Sequence, residues 1–93
     1  MLDTNATNIT IIDTRTFEEF GRGHIRGSHH IPLHIVPLRL QDFDPSKKII
    51  FVCHSGGRSA QATRFALDRG FDAYNLSDGI VHFEVQFPQY IIS

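Results

Sequence analysis

Lys48-Ile49-Ile50-Phe51-Val52-Cys53-His54-Ser55-Gly56-Gly57-Arg58-Ser59 decides the fold. Its first five residues are apolar after the leading lysine, as a β-strand covered on both faces requires. A polar loop with two glycines follows. Ser59 to Arg69 then reads as a helix with Ala62, Phe65, Ala66 and Arg69 on one face, and Gly70 is placed to cap its end. A buried strand, a short loop and a helix form the first half of a parallel βαβ unit.

The flanks extend the alternation. Upstream, Ile9-Thr10-Ile11-Ile12 is a β-branched run ending in Asp13, a second buried strand. Thr16 lies three residues before Glu19, a capping-box spacing that opens a short helix. Gly21, Gly23 and Gly27 interrupt regular structure after it, and His30-Ile31-Pro32 reads as a brief strand closed by its proline. Leu33 to Phe43 has helical spacing, limited or kinked by Pro37. Asp44-Pro45-Ser46 is a turn. Downstream, Phe71 to Leu76 is a further strand, and Gly79 opens a short helical piece over Ile80 to Glu84. The apolar stretch Phe87-Pro88-Gln89-Tyr90-Ile91-Ile92 carries no decisive pattern. The class is α/β, with a small, mostly parallel sheet flanked by helices on both faces, and residues 1–93 read as a single domain.

Bulk properties narrow the function. A net charge of −1 with no lysine or arginine block gives nucleic-acid binding little support. No apolar run approaches the ~20 residues needed to span a bilayer. Met1-Leu2-Asp3-Thr4-Asn5 lacks the order of a signal peptide, so a full-length chain is expected in the reducing cytoplasm, without membrane partners. The single cysteine excludes an intrachain disulfide. Cys53 is either small buried filler or a reactive thiolate, and its neighbours favour the second reading. It follows a strand and precedes a helix N-terminus, where unpaired backbone N–H groups and the helix dipole favour an anion. Gly56 and Gly57 are expected to let the loop curl into an N–H nest, and Arg58 adds a fixed positive charge. Both lower a thiol pKa. In parallel sheets the site lies beyond the carboxyl ends of the strands, where Asp13 and Cys53 both stand.

The segment Ile11-Ile12-Asp13-Thr14-Arg15, then Glu19-Phe20, Gly23-His24-Ile25-Arg26-Gly27-Ser28 and Ile31-Pro32, resembles the N-terminal signature of rhodanese domains. The Cys53 loop, its helix, and Asn75-Leu76-Ser77-Asp78-Gly79-Ile80 resemble the remaining landmarks, so the likeness spans roughly residues 9 to 84. It implies a rhodanese fold and a sulfurtransferase in which Cys53 takes sulfane sulfur from a small anionic donor such as thiosulfate. The sulfur passes to cyanide, a small thiol or a partner protein's thiol. His54, Ser55, Gly56, Gly57, Arg58 and Ser59 would bind the donor and then the persulfide. No metal or organic cofactor is implied. The chain departs from the family at a shortened N-terminus, which implies a four-stranded or frayed sheet, and at Phe83, which stands where the family usually has tryptophan.

Two other functions compete. A cysteine-dependent phosphatase or arsenate reductase has a related loop, but with five residues between cysteine and arginine; here four intervene. A rhodanese-like binding or sensory module without turnover keeps the fold alone. Among secondary candidates, Asp13 and Arg15 are read first as members of structural ion pairs with Glu18 or Glu19, and otherwise as residues that fix the active-site loop or help set its charge. His24 is weighed as an acid or base, but the resemblance implies that its Gly-His-Ile turn is structural, and His24, His29, His30 and His34 lack the companions of a metal site. His54 either tunes the nucleophile or points to solvent.

Overall fold

The computed structural model describes residues 9–54, 57–76 and 79–92. Four parallel strands form the central sheet: β1 (Ile9–Asp13), β3 (His29–His30), β4 (Lys48–Val52) and β5 (Asp72–Asn75), in the order β3-β1-β4-β5. β1 and β4 are in register from Ile9 opposite Lys48 to Asp13 opposite Val52. Alternation along β4 sends Ile49 and Phe51 to one face and Ile50 and Val52 to the other. All four are buried, which accounts for the unbroken apolar run.

On the first face lie α2 (Val36–Arg39) and α3 (Gly57–Asp68), contributing Val36, Ala62 and Ala66 to a core with Ile12, Ile49, Phe51 and Ala73. On the second lies α4 (Gly79–Gln86), whose Ile80 and Phe83 pack with Ile25, Ile50 and Val52. Phe83, in the expected tryptophan position, is thus a core residue. The expected α/β architecture, with helices on both faces, is the one observed. Among the described residues no helix is long and apolar enough to cross a membrane.

Some local expectations held and others did not; the brief strand expected over His30 to Pro32 is His29–His30, without Ile31 and Pro32. Thr16 and Glu19 form a reciprocal capping box at the start of α1 (Phe17–Arg22). Gly21 does not interrupt α1; its position lies inside the helix. Pro37 does not kink a long helix either. It sits in the first turn of α2, where its missing N–H costs nothing, and short 3₁₀ turns at Leu33–Ile35 and Leu40–Asp42 flank it. Asp44 accepts from the Ser46 backbone and hydroxyl, as an Asx turn should. Gly70 takes φ +86 at the end of α3, a conformation that glycine adopts without a Cβ penalty. Arg69 does not join the buried face of α3: its guanidinium lies over the Phe65 ring at 3.6 Å while the residue stays exposed. The unassigned tail becomes a 3₁₀ turn (Pro88–Tyr90) and β6 (Ile91–Ile92), which pairs antiparallel with β2 (His24–Ile25).

Candidate active site

The carboxyl ends of β1, β4 and β5 converge, and each delivers a polar group. Thr14, just past β1, donates to the Val52 carbonyl from both its backbone N–H (2.8 Å) and its hydroxyl (2.9 Å), tying β1 to the residue before Cys53. Cys53 is almost completely buried, at 1% exposure. Its carbonyl accepts the Ile80 N–H at 2.9 Å, which anchors the start of α4 to it. The Ser59 hydroxyl lies 3.3 Å from Cys53 Sγ and is also hydrogen-bonded to Asn75 Oδ1 at the end of β5.

Helix α3 begins at Gly57, two residues earlier than the sequence suggests. Gly57 and Arg58 therefore belong to the first helical turn rather than to the loop. Nothing lies within 4 Å of where a Gly57 Cβ would be, and its φ is not in the left-handed range. Helical geometry, and not a curl that only glycine could make, accounts for its backbone there. Ser59, in the same first turn, is buried and faces the sheet end. His54 is exposed, the solvent-facing alternative of the two weighed for it. Ser55 and Gly56 lie outside the described residues.

The charged residues pair differently from the sequence expectation. Arg15 does not reach Glu18 or Glu19. Its guanidinium grips Asp13, with Nε 3.0 Å from both carboxylate oxygens and Nη2 2.8 Å from Oδ2, and the Arg15 N–H also donates to Oδ1. Nη2 reaches the Gly23 carbonyl at 2.7 Å as well. The chain turns directly after β1, so the two side chains meet at a separation of two residues and lock that turn. Both are buried, at 5% and 1% exposure.

Glu19 is instead held by Arg58, with Nη1 to Oε1 at 3.0 Å and Nη2 to Oε2 at 3.2 Å, a fork-to-fork pair between α1 and α3. The Arg58 bonds hold the Glu19 pKa down at about 2, against an ordinary 4.5, although burial pushes the other way. The same pairing raises the Arg58 pKa further. A folded value below the ordinary one means that the pair stabilises the fold fully above about pH 4.5 and loses that contribution as pH falls towards about 2. The stability difference between wild type and Glu19→Gln is therefore expected to be constant above pH 5 and to shrink across that acid window. Urea titrations at stepped pH measure it, and a pH-independent difference would mean that the carboxylate is not paired in solution.

This pair stands between two clefts. One, of about 290 Å³, is lined by Arg15, Glu19, Arg22, Gly23, His54, Ile80 and Glu84. The other, of about 300 Å³ and more apolar, is lined by Phe17, Pro32, Leu33, His34, Arg58 and the Thr14–Thr16 segment. His54 and Ile80, which bracket Cys53 by sequence and by hydrogen bond, place the first cleft beside the cysteine.

His24 and His30 serve packing. His24 stacks on Phe20 at 3.8 Å with Nδ1 3.0 Å from the Phe20 carbonyl, and His30 stacks on the other side of that ring with Nε2 2.8 Å from the Arg15 carbonyl. The structural reading of His24 stands.

Comparison with known proteins fits this geometry. The family model for the rhodanese-like domain matches residues 1–86. The chain belongs to the rhodanese-like family. Rhodanese-like relatives include a sulfurtransferase of Allochromatium vinosum, 29% identical over 75 residues that make up 80% of this chain and 70% of that protein. Thiosulfate sulfurtransferase GlpE of Pseudomonas aeruginosa is 32% identical over 79 residues, 84% of this chain and 72% of that one. Among solved structures, a Rhodopseudomonas palustris protein described as a possible tyrosine phosphatase superposes with a TM-score of 0.81 at 26% identity, covering 90% of this chain and 71% of its own. The relatives' names support a rhodanese-type sulfurtransferase in general terms.

Two site residues escaped the sequence reading. Asn75 was legible only as part of a family landmark, although an asparagine ending a strand, at the sheet edge where sites form, was a usable signal. Glu19 was read as a capping residue, and it fills that role and the pairing with Arg58 at once, through Oε1 accepting from both Thr16 N–H and Arg58.

Proposed function

We propose that this rhodanese-like domain moves sulfane sulfur from a small anionic donor, thiosulfate being the simplest, to a thiol or to cyanide through a persulfide on Cys53. The Cys53 thiolate attacks the outer sulfur of thiosulfate. The new S–S bond forms as the bond to the sulfonate sulfur breaks, and sulfite leaves with that electron pair. An acceptor thiolate or cyanide then attacks the terminal sulfur, and Cys53 departs as the thiolate. Backbone N–H groups of His54, Ser55, Gly56, Gly57, Arg58 and Ser59 hold the donor's oxygens and then the persulfide anion. Because Glu19 already engages the Arg58 fork, Arg58 acts first by fixing α1 against α3, and only its residual field draws the anion.

The observation that carries this reading is a cysteine buried at the end of a parallel strand, in front of a helix N-terminus, with a hydroxyl on its sulfur. The likeness to a possible tyrosine phosphatase raises the oxyanion alternative. Four residues between Cys53 and Arg58 make a tighter loop than the phosphatase one, suited to one sulfur atom rather than to three phosphoryl oxygens. Intact mass spectrometry after thiosulfate treatment is expected to find one added sulfur atom that dithiothreitol removes. Absence of that adduct, together with turnover of para-nitrophenyl phosphate, would replace sulfur transfer by phosphoryl chemistry.

A further inference from the structure

We propose that Asn75 is a positioning residue that sets how readily Cys53 gives up its proton, by competing with the cysteine sulfur for the single proton of the Ser59 hydroxyl. The inference rests on the assignment of Cys53 as the reacting thiol. Ser59 Oγ is within donor distance of two acceptors, Cys53 Sγ and Asn75 Oδ1. A hydroxyl has one proton to donate. While Cys53 is a thiol, its S–H points at Ser59 Oγ, and the Ser59 O–H goes to Asn75. When Cys53 ionises, the Ser59 O–H is drawn to the thiolate, and Asn75 Oδ1 loses that donor. Asn75 is half-buried, so water or its other partners offset part of that loss, and the remainder still weights the thiol form.

Asn75 therefore weights the balance towards the uncharged sulfur. The same competition favours sulfur loading. In the persulfide the charge sits on the terminal sulfur, the inner Sγ is neutral, and the Ser59 proton returns to Asn75. The resting thiolate is thus kept less stabilised, and more nucleophilic, than the helix N-terminus alone would leave it. When the acceptor removes the terminal sulfur, the hydroxyl turns back to the departing Sγ.

Other groups act on Cys53 from the surrounding elements. Arg58 on α3 is close enough for its charge to couple to the thiol. Glu19 on α1 neutralises Arg58, Asp13 and Arg15 at the end of β1 neutralise each other, and His54 adjoins in sequence. None of these is altered by substituting Asn75, so the effect is separable.

The test is the pH dependence of Cys53 alkylation by iodoacetamide in Asn75→Leu and Asn75→Asp, each in the wild-type and the Ser59→Ala background. Asn75→Ala serves if leucine prevents folding. Losing the acceptor (Leu or Ala) is expected to lower the half-reactive pH by about half a unit or more, and an aspartate, which can only accept, to raise it by at least as much. Both shifts should collapse in the Ser59→Ala background, apart from the bare field of the aspartate charge. Shifts of the same sign, no shift, or shifts of equal size without the Ser59 hydroxyl would overturn the proposal. The profile reports on the thiol whether or not sulfur is transferred, and the persulfide mass measurement separately reports on the transfer reading.

Discussion

Cys53→Ser is expected to cut sulfur transfer by at least about a thousandfold, to the uncatalysed level, with the fold unchanged. Oxygen is smaller than sulfur and a hydroxyl is neither a thiolate at neutral pH nor able to carry sulfane sulfur, so the nucleophile is lost outright. The fold should survive because the site is already equipped for a hydroxyl. The new Oγ would lie within reach of Ser59 Oγ, so it would not be buried without a partner. The Cys53 carbonyl, which anchors α4 through Ile80, is untouched. Cyanide-dependent thiocyanate release from thiosulfate measures the first claim, and circular dichroism with thermal melting the second. Residual turnover within tenfold of wild type would place the reacting group elsewhere and end the persulfide assignment.

How much of this was legible in the sequence depended on the range of the interaction. β4 is a central strand, and burial on both faces imposes its unbroken apolar run after Lys48. The capping box of α1 is local, with Thr16 and Glu19 reading each other across three residues. Both could be read directly. The antiparallel pairing of β2 with β6 could not, because two residues on each side leave no period to detect, and their partners are separated by more than sixty positions in the chain.

The site divides in the same way. Cys53 was identified by its place between strand and helix, which is a local fact. The partner of Arg58 was not, since Glu19 already had a sufficient local explanation and nothing in its spacing signals a second bond from 39 residues away. Arg15 illustrates the opposite error. An arginine among acidic residues invites pairing along the helix, yet the turn after β1 brings it to the carboxylate two residues earlier, and the Gly23 carbonyl completes its shell. The gap between motif and geometry was filled by where the chain turns, which a residue count does not encode.

Arg15→Met is expected to be among the most damaging single changes outside the cysteine. It removes the fork that grips Asp13 and the donor to the Gly23 carbonyl, and leaves a carboxylate buried with its remaining partners at 1% exposure. Breaking a buried ion pair from one side costs about 3–5 kcal/mol, a large share of the roughly 5–15 kcal/mol that stabilises a domain. For a chain of this length each kcal/mol moves the midpoint by about 4–8 °C, so a fall of at least about 12 °C is expected. The cost lies chiefly in the abandoned charge, not in the lost attraction. The double variant Asp13→Leu with Arg15→Met, which removes both charges, should therefore recover much of the loss. Thermal and urea unfolding of the two variants decide the matter. If the single and double variants were equally destabilised, the guanidinium would matter for the turn it braces at Gly23 and not for the charge it neutralises. A single variant within about 1 kcal/mol of wild type would mean that Asp13 is not desolvated in solution at all.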